Sequence, residues 1–127
     1  MTVSTYGGSE EYYELLAHGQ TPRNFPSGEV IFHQGERGAC MYLVRDGSVA
    51  LKSGDRVVET VGAPGLFGEM ALIEDKPRSL TAAAATDVVL VEIPARHFWM
   101  LVQETPHFAQ LVMGVMAERL RRAGGST

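Results

Sequence analysis

The residues best suited to chemistry lie in one stretch, Phe67-Gly68-Glu69-Met70-Ala71-Leu72-Ile73, followed after three residues by Pro77-Arg78-Ser79. A glycine ahead of an acidic residue and an apolar run predicts a helix start at Gly68–Ile73. Main-chain amides at such a start point outward with the positive end of the dipole and favour an anion. Arg78 adds planar, paired donors that keep their charge at any physiological pH. A carboxylate beside an anion repels it. Glu69 is therefore useful there only as an acceptor for a donor on the same ligand, such as a sugar hydroxyl. The stretch reads as a seat for a small ligand that carries one phosphate and a neighbouring hydroxyl.

Positioning these groups falls to a run of short strands. From Gly28 to Gly68, eight glycines (28, 35, 38, 47, 54, 62, 65 and 68) separate the apolar stretches Val30–Phe32, Met41–Val44, Val49–Leu51 and Val57–Val58. That spacing predicts strands joined by tight turns, as in an antiparallel barrel or jelly roll. Ser53-Gly54-Asp55-Arg56 is a hairpin tip, and alternation puts Val49 and Leu51 on one side with Ser48, Ala50 and Lys52 on the other. Two further strands are expected near Ser79–Ala84 and Val88–Ile93, with Val89, Val91 and Ile93 on one face. Ahead of the strands, Ser9 and the acidic residues Glu10 and Glu11 predict a short helix through Leu16 that stops at Gly19. Behind them, Pro94 opens a helix with Phe98, Leu101 and Val102 on one stripe. Thr105-Pro106 opens another, with Phe108, Leu111, Val112, Val115 and Met116 at the spacing of a buried face. The expected organisation is a loose end over 1–8 and one domain over 9–127. Within it the β-roll takes about 21–93 and the C-terminal helices about 95–122, with a break at Gly124-Gly125.

Composition narrows the functional class. A chain of 127 residues with 45% apolar and 20% charged residues can bury a core as one domain. Its net charge of −4 argues against nonspecific nucleic-acid binding. No apolar stretch reaches the length of a membrane span, and Met1–Ser9 lacks a secretion signal. Cys40, alone, forms no internal disulfide or thiolate metal site, which points to a reducing cytoplasm. His18, His33, His97 and His107 are scattered without a His-x-His pair, so no metal or other catalytic cofactor is expected. No nucleophile–base pair or pair of hydrolytic acids is visible, and the chain reads as a binding module rather than an enzyme.

Phe67-Gly68-Glu69-Met70-Ala71-Leu72, then Pro77-Arg78-Ser79 and Thr81, resembles the phosphate-binding cassette of cyclic nucleotide-binding domains. That family includes catabolite activator protein, the regulatory subunits of cyclic AMP-dependent kinase and cyclic nucleotide-gated channels. Pro26–Ile31, Gln34-Gly35-Glu36, Tyr42–Val44 and Gly47–Val49 look like the family's first strands in order. The resemblance implies a mainly β fold: an antiparallel β-roll of the jelly-roll or double-stranded β-helix kind with flanking helices. It implies that Gly68 lets the backbone approach the ligand, that Glu69 accepts the ribose 2′-hydroxyl, and that Arg78 pairs with the cyclic phosphate. Amides near Ala71 and Ser79 would add donors, while Val58, Leu66 and Met70 would offer apolar surface to ribose and purine. Ser79 leaves cAMP and cGMP undivided; the reading favours cAMP.

Two departures from relatives such as catabolite activator protein shape the expectations. The chain stops at Thr127 without a helix-turn-helix segment, and it lacks the hydroxyl residues further along the last helix that touch the purine. A lid would come from Arg121 or Arg122, or from a partner. The expectation is a stand-alone cytoplasmic sensor acting on an effector protein or second copy through its last helix. The alternatives are a nucleotide-independent dimerisation module and a fragment of a larger regulator, channel or kinase. Arg78 could also be a structural arginine paired with Glu69 or Asp75. Its removal is expected to cost little stability, with the site at the surface of the roll.

Overall fold

In a computed structural model the chain is described over residues 9–122. The expected loose end at 1–8 and the break at Gly124-Gly125 lie outside the described residues. The elements run α1 (Ser9–Ala17), β1 (Pro22–Phe25), β2 (Val30–Phe32), β3 (Cys40–Asp46), β4 (Ser48–Ser53), β5 (Arg56–Gly62), β6 (Gly65–Phe67), α2 (Glu69–Glu74), β7 (Thr81–Ala84), β8 (Val88–Pro94), α3 (Ala95–Glu104) and α4 (Pro106–Arg122). The strands form two four-stranded antiparallel sheets, ordered β1-β8-β3-β6 and β2-β7-β4-β5. A mainly β roll with flanking helices is the architecture expected.

Two apolar cores explain why the roll closes. Between the sheets lie Phe25, Phe32, Tyr42, Val44, Val49, Leu51, Val61, Phe67 and Leu90, with small residues from β7. On the outer face of the first sheet, Met41, Leu43, Val91 and Ile93 pack against Leu16 of α1, Phe98 and Leu101 of α3, and Phe108 and Val112 of α4. Strand β3 serves both: Met41 and Leu43 face the helices, Tyr42 and Val44 the roll interior. Successive side chains of a strand point to opposite faces, so a continuous apolar run marks burial on both sides. Val91 and Ile93 share a face as predicted, with Leu90 turned to the other core. Truncating a buried Phe such as Phe98 or Phe108 costs about 3–5 kcal/mol, so the helices are firmly attached to this sheet.

The segments that carry the site are the ends of this roll. β6, absent from the sequence expectation, pairs with β3 through Tyr42, Leu43 and Val44 and delivers the chain directly into α2. Gly54, at φ 62, turns the predicted hairpin between β4 and β5. The β4–β5 ladder then shifts register between Leu51 and Lys52, which leaves Val58 as an extra residue on β5. Beyond that irregularity Glu59 stands opposite Leu51, and residues opposite one another share a face. Leu51 packs in the inter-sheet core, so Glu59 is turned toward the inside of the roll.

Candidate functional site

The structure assembles the site from the turn into α2, the β2–β3 loop, the loop before β7 and the last turns of α4. Gly68 caps α2 at φ 84, in the left-handed region. A side chain there would be strained, and its Cβ would lie 2.9 Å from Nη1 of Arg78. Ala71 is buried on α2, whereas Met70 is 38% exposed on its other side.

Arg78 is buried inside the structure with 6% exposure. Nη1 donates to the Gly68 carbonyl at 2.9 Å and Nη2 to the Cys40 carbonyl at 2.6 Å. The guanidinium lies over the Phe32 ring at 4.1 Å, with Tyr42 at 5.8 Å. Tyr42 stacks in turn on Phe67, with ring centroids 5.1 Å apart. Burial above all, then the Cys40 thiol, pushes the Tyr42 phenol above its ordinary range, while Arg78 pulls it down. The ring therefore stays neutral and serves as an apolar wall. The backbone of Arg78 is held as firmly: its amide donates to the Glu36 carbonyl at 2.7 Å and its carbonyl accepts from the Gly35 amide at 2.8 Å.

These contacts correct two expectations. Arg78 is not the ion-pair partner of Glu69 or Asp75, because Glu69 pairs with Arg119 and Asp75 with Arg37. Nor is it a surface residue whose loss leaves the fold indifferent, since its removal strands two carbonyls and empties an aromatic slot. Its positive charge is met by carbonyl dipoles and ring faces, with no carboxylate at salt-bridge distance among the described residues. Nε is buried and has no hydrogen-bond partner among the described residues. A guanidinium has five N–H donors, and two of them are engaged among the described residues. The cation is thus held in place with part of its donor set unengaged among the described residues.

Glu69 is 2% exposed on the first turn of α2. Its Oε2 accepts from Nη1 of Arg119 at 2.7 Å, while Oε1 is buried without a partner. The Nε of Arg119 donates to Oε2 of Glu59 at 3.0 Å, and its Nη2 donates to the Leu66 carbonyl. Burial works against the Arg119 cation, but Glu69 and then Glu59 outweigh it and hold its pKa above the ordinary value.

The remaining predicted residues divide. Ser79 is exposed beside Arg78, and Val58 is 47% exposed on β5. The Leu66 side chain is 2% exposed within the outer core, so its carbonyl rather than its apolar surface faces the site. Of the two candidate lid residues, Arg121 pairs with Glu118 at 2.8 Å, and Arg122 reaches Glu59 at 3.3 Å. The helix residue that enters the site is Arg119. Its position in an Arg-rich tail gave no signal, because the separation from Glu69 is bridged only by folding. Gly38 was also missed: a Cβ there would lie 2.7 Å from both Cζ of Arg78 and Cβ of Ala71. The glycine keeps open the slot that the guanidinium fills.

A free buried donor on a fixed cation thus shares one site with a free buried acceptor on an acid. Residues 22–105 match the family model for the cyclic nucleotide-binding domain. The chain belongs to that family.

Among relatives of this cyclic nucleotide-binding domain is a cyclic nucleotide-gated potassium channel of Rhizobium etli, 41% identical over 77% of this chain and 27% of the channel. The cyclic AMP receptor protein of Thermus thermophilus is 34% identical over 93% of this chain and 57% of that protein. In three dimensions the crystal structure of Thermus thermophilus catabolite activator protein superposes with a TM-score of 0.80 at 30% identity, covering 97% of this chain and 60% of that one. The chain therefore spans between about a quarter and three-fifths of the length of these relatives. Among the described residues, no helix is long and apolar enough to cross a membrane.

Proposed function

We propose that the chain is a cytoplasmic cyclic nucleotide sensor that takes cAMP in preference to cGMP and carries out no chemistry on it. The carrying observation is the pair of unmatched buried atoms, Nε of Arg78 as donor and Oε1 of Glu69 as acceptor. Leaving either atom buried and unpaired costs on the order of 1–3 kcal/mol. A cyclic phosphodiester with a free 2′-hydroxyl satisfies both at once: its anion accepts from Arg78 and its hydroxyl donates to Glu69. Val58 and Met70, both substantially exposed, offer apolar cover to the ribose and base. The names of the relatives, which include a cyclic AMP receptor and a cyclic nucleotide-gated channel, support the same ligand class.

The output in this reading is the last helix. Arg119 joins α4 to Glu69, so a ligand that engages Glu69 acts on the group holding that helix. It can shift α4 only by as much as it binds one arrangement better than the other. The altered face of α4 would then act on an effector protein or a second copy of the chain. Titration calorimetry with cAMP and cGMP tests the reading, together with chromatography of the nucleotide after incubation. Binding of cAMP more tightly than cGMP, with the nucleotide recovered intact, is expected. Absence of binding at millimolar nucleotide would leave a nucleotide-independent interaction module. Conversion of the nucleotide would make the chain an enzyme.

A further inference from the structure

Glu59 belongs to none of the sequence motifs, yet two cations converge on one of its oxygens. Oε2 accepts from Nε of Arg119 at 3.0 Å and from Nη1 of Arg122 at 3.3 Å. Its side chain is 19% exposed, whereas that of Arg122 is 58% exposed. The bond to Arg119 is therefore the one sheltered from water.

The geometry of Arg119 gives that bond its importance. All three guanidinium nitrogens rest on different acceptors: Nε on Glu59, Nη1 on Glu69 and Nη2 on the Leu66 carbonyl. A planar fork with three fixed ends cannot rotate without breaking one of them. The Leu66 carbonyl and Glu69 flank the β6–α2 turn, so both belong to the wall that carries the ligand acceptor. Glu59 comes from β5 and, among the described residues, is the one charged anchor of Arg119 outside that wall. With it in place, Nη1 occupies Oε2 of Glu69 and leaves Oε1 as the acceptor without a partner. Without it, only the Leu66 carbonyl and Glu69 itself would hold the fork among the described residues, with nothing on β5 to keep it off the second oxygen of Glu69.

We propose that Glu59 is a positioning residue of the nucleotide site: it fixes the Arg119 fork on one oxygen of Glu69 and so keeps the other open to a ligand hydroxyl. The proposal rests on the nucleotide-binding reading above and adds a determinant of its hydroxyl selectivity. Glu59 touches no ligand atom in this role. It acts through Arg119, and its effect is confined to ligands that use Glu69.

The test compares Glu59→Met with the wild-type chain by calorimetry, using cAMP and 2′-deoxy-cAMP, with thermal melts run alongside. The substitution keeps the approximate side-chain length and removes both the charge and the acceptor oxygens that hold Arg119. Couplings of this kind correspond to about a tenfold change in affinity. The expected result is about tenfold weaker cAMP binding with 2′-deoxy-cAMP unchanged, so the preference for the hydroxyl shrinks by the same factor. Adding Glu59→Met to Glu69→Gln should then change neither affinity, because the group being positioned is already gone. Equal losses for both nucleotides would make Glu59 a merely structural residue and overturn the proposal, as would unchanged cAMP binding. A wild-type chain that binds neither nucleotide refutes the binding reading itself. One that binds both equally refutes the role of Glu69 on which the proposal stands.

Discussion

The two ends of the site are built by opposite strategies. At the proposed phosphate end, Arg78 is seated by main-chain carbonyls, an aromatic floor and two glycines, all contributed by the roll and its loops. At the proposed hydroxyl end, Glu69 is joined by Arg119 from a helix fifty positions further along the chain. The first end keeps its shape for as long as the sheets stay closed. The second depends on where α4 rests. Under the proposed function this division would suit a sensor, with the rigid end supplying affinity and the contingent end coupling.

The comparison can be broken most severely at the rigid end. Arg78→Ala should weaken cAMP binding by about 2–5 kcal/mol, since a buried anion loses its charged partner. It should also lower thermal stability by about 1–3 kcal/mol, because the Gly68 and Cys40 carbonyls lose their donor. Calorimetry and melting measure the two separately; a variant that binds like wild type would refute the seat.

At the contingent end, Arg119→Met should cost about 1–3 kcal/mol of stability, because Glu69 stays buried with its charge unpaired. The ends of α4 should then exchange amide hydrogens faster while those of β3 do not. Uniformly faster exchange would contradict the separation of the two ends. Gly38→Ala tests the slot from the other side: overpacking against Arg78 should cost about 1–3 kcal/mol. Combined with Arg78→Ala it should cost less, because the clash with the guanidinium is gone while that with Cβ of Ala71 stays, and full additivity would argue against a shared slot. The smallest effect is expected for Phe32→Leu, which keeps an apolar floor but removes the ring beneath the cation. About 0.5–2 kcal/mol of cAMP affinity should disappear, and an unchanged affinity would reduce the ring to packing.

Much of this molecule is legible in its residues. β3 and β4 show as apolar runs between glycines, and the helices after Pro94 and Thr105 show as three-and-four spacing. The β6 strand was not legible because Gly65–Phe67 is only three residues long and is defined by its pairing with β3. β1, Pro22–Phe25, likewise buries only Phe25 and becomes a strand by pairing with β8. Arg78 and Glu69 stood out because a local run contains both, together with the glycine that turns the chain between them and the sheet. Their surroundings did not. Gly38, Cys40, Phe32 and Tyr42 come from segments that carry no shared pattern, and Arg119 sits in a run of cations that reads as a solvated helix end.

The sequence alone determined the strand-rich roll, the two terminal helices and the pair of opposite charges in the cassette, because those follow from short-range periodicity and turn chemistry. The tertiary structure decided how deeply Arg78 is buried, which arginine of the last helix meets Glu69, and that Glu59 shares it. Such choices depend on which surfaces the closed sheets bring within hydrogen-bond reach. That reach is a property of distance in space, to which distance along the chain is no guide.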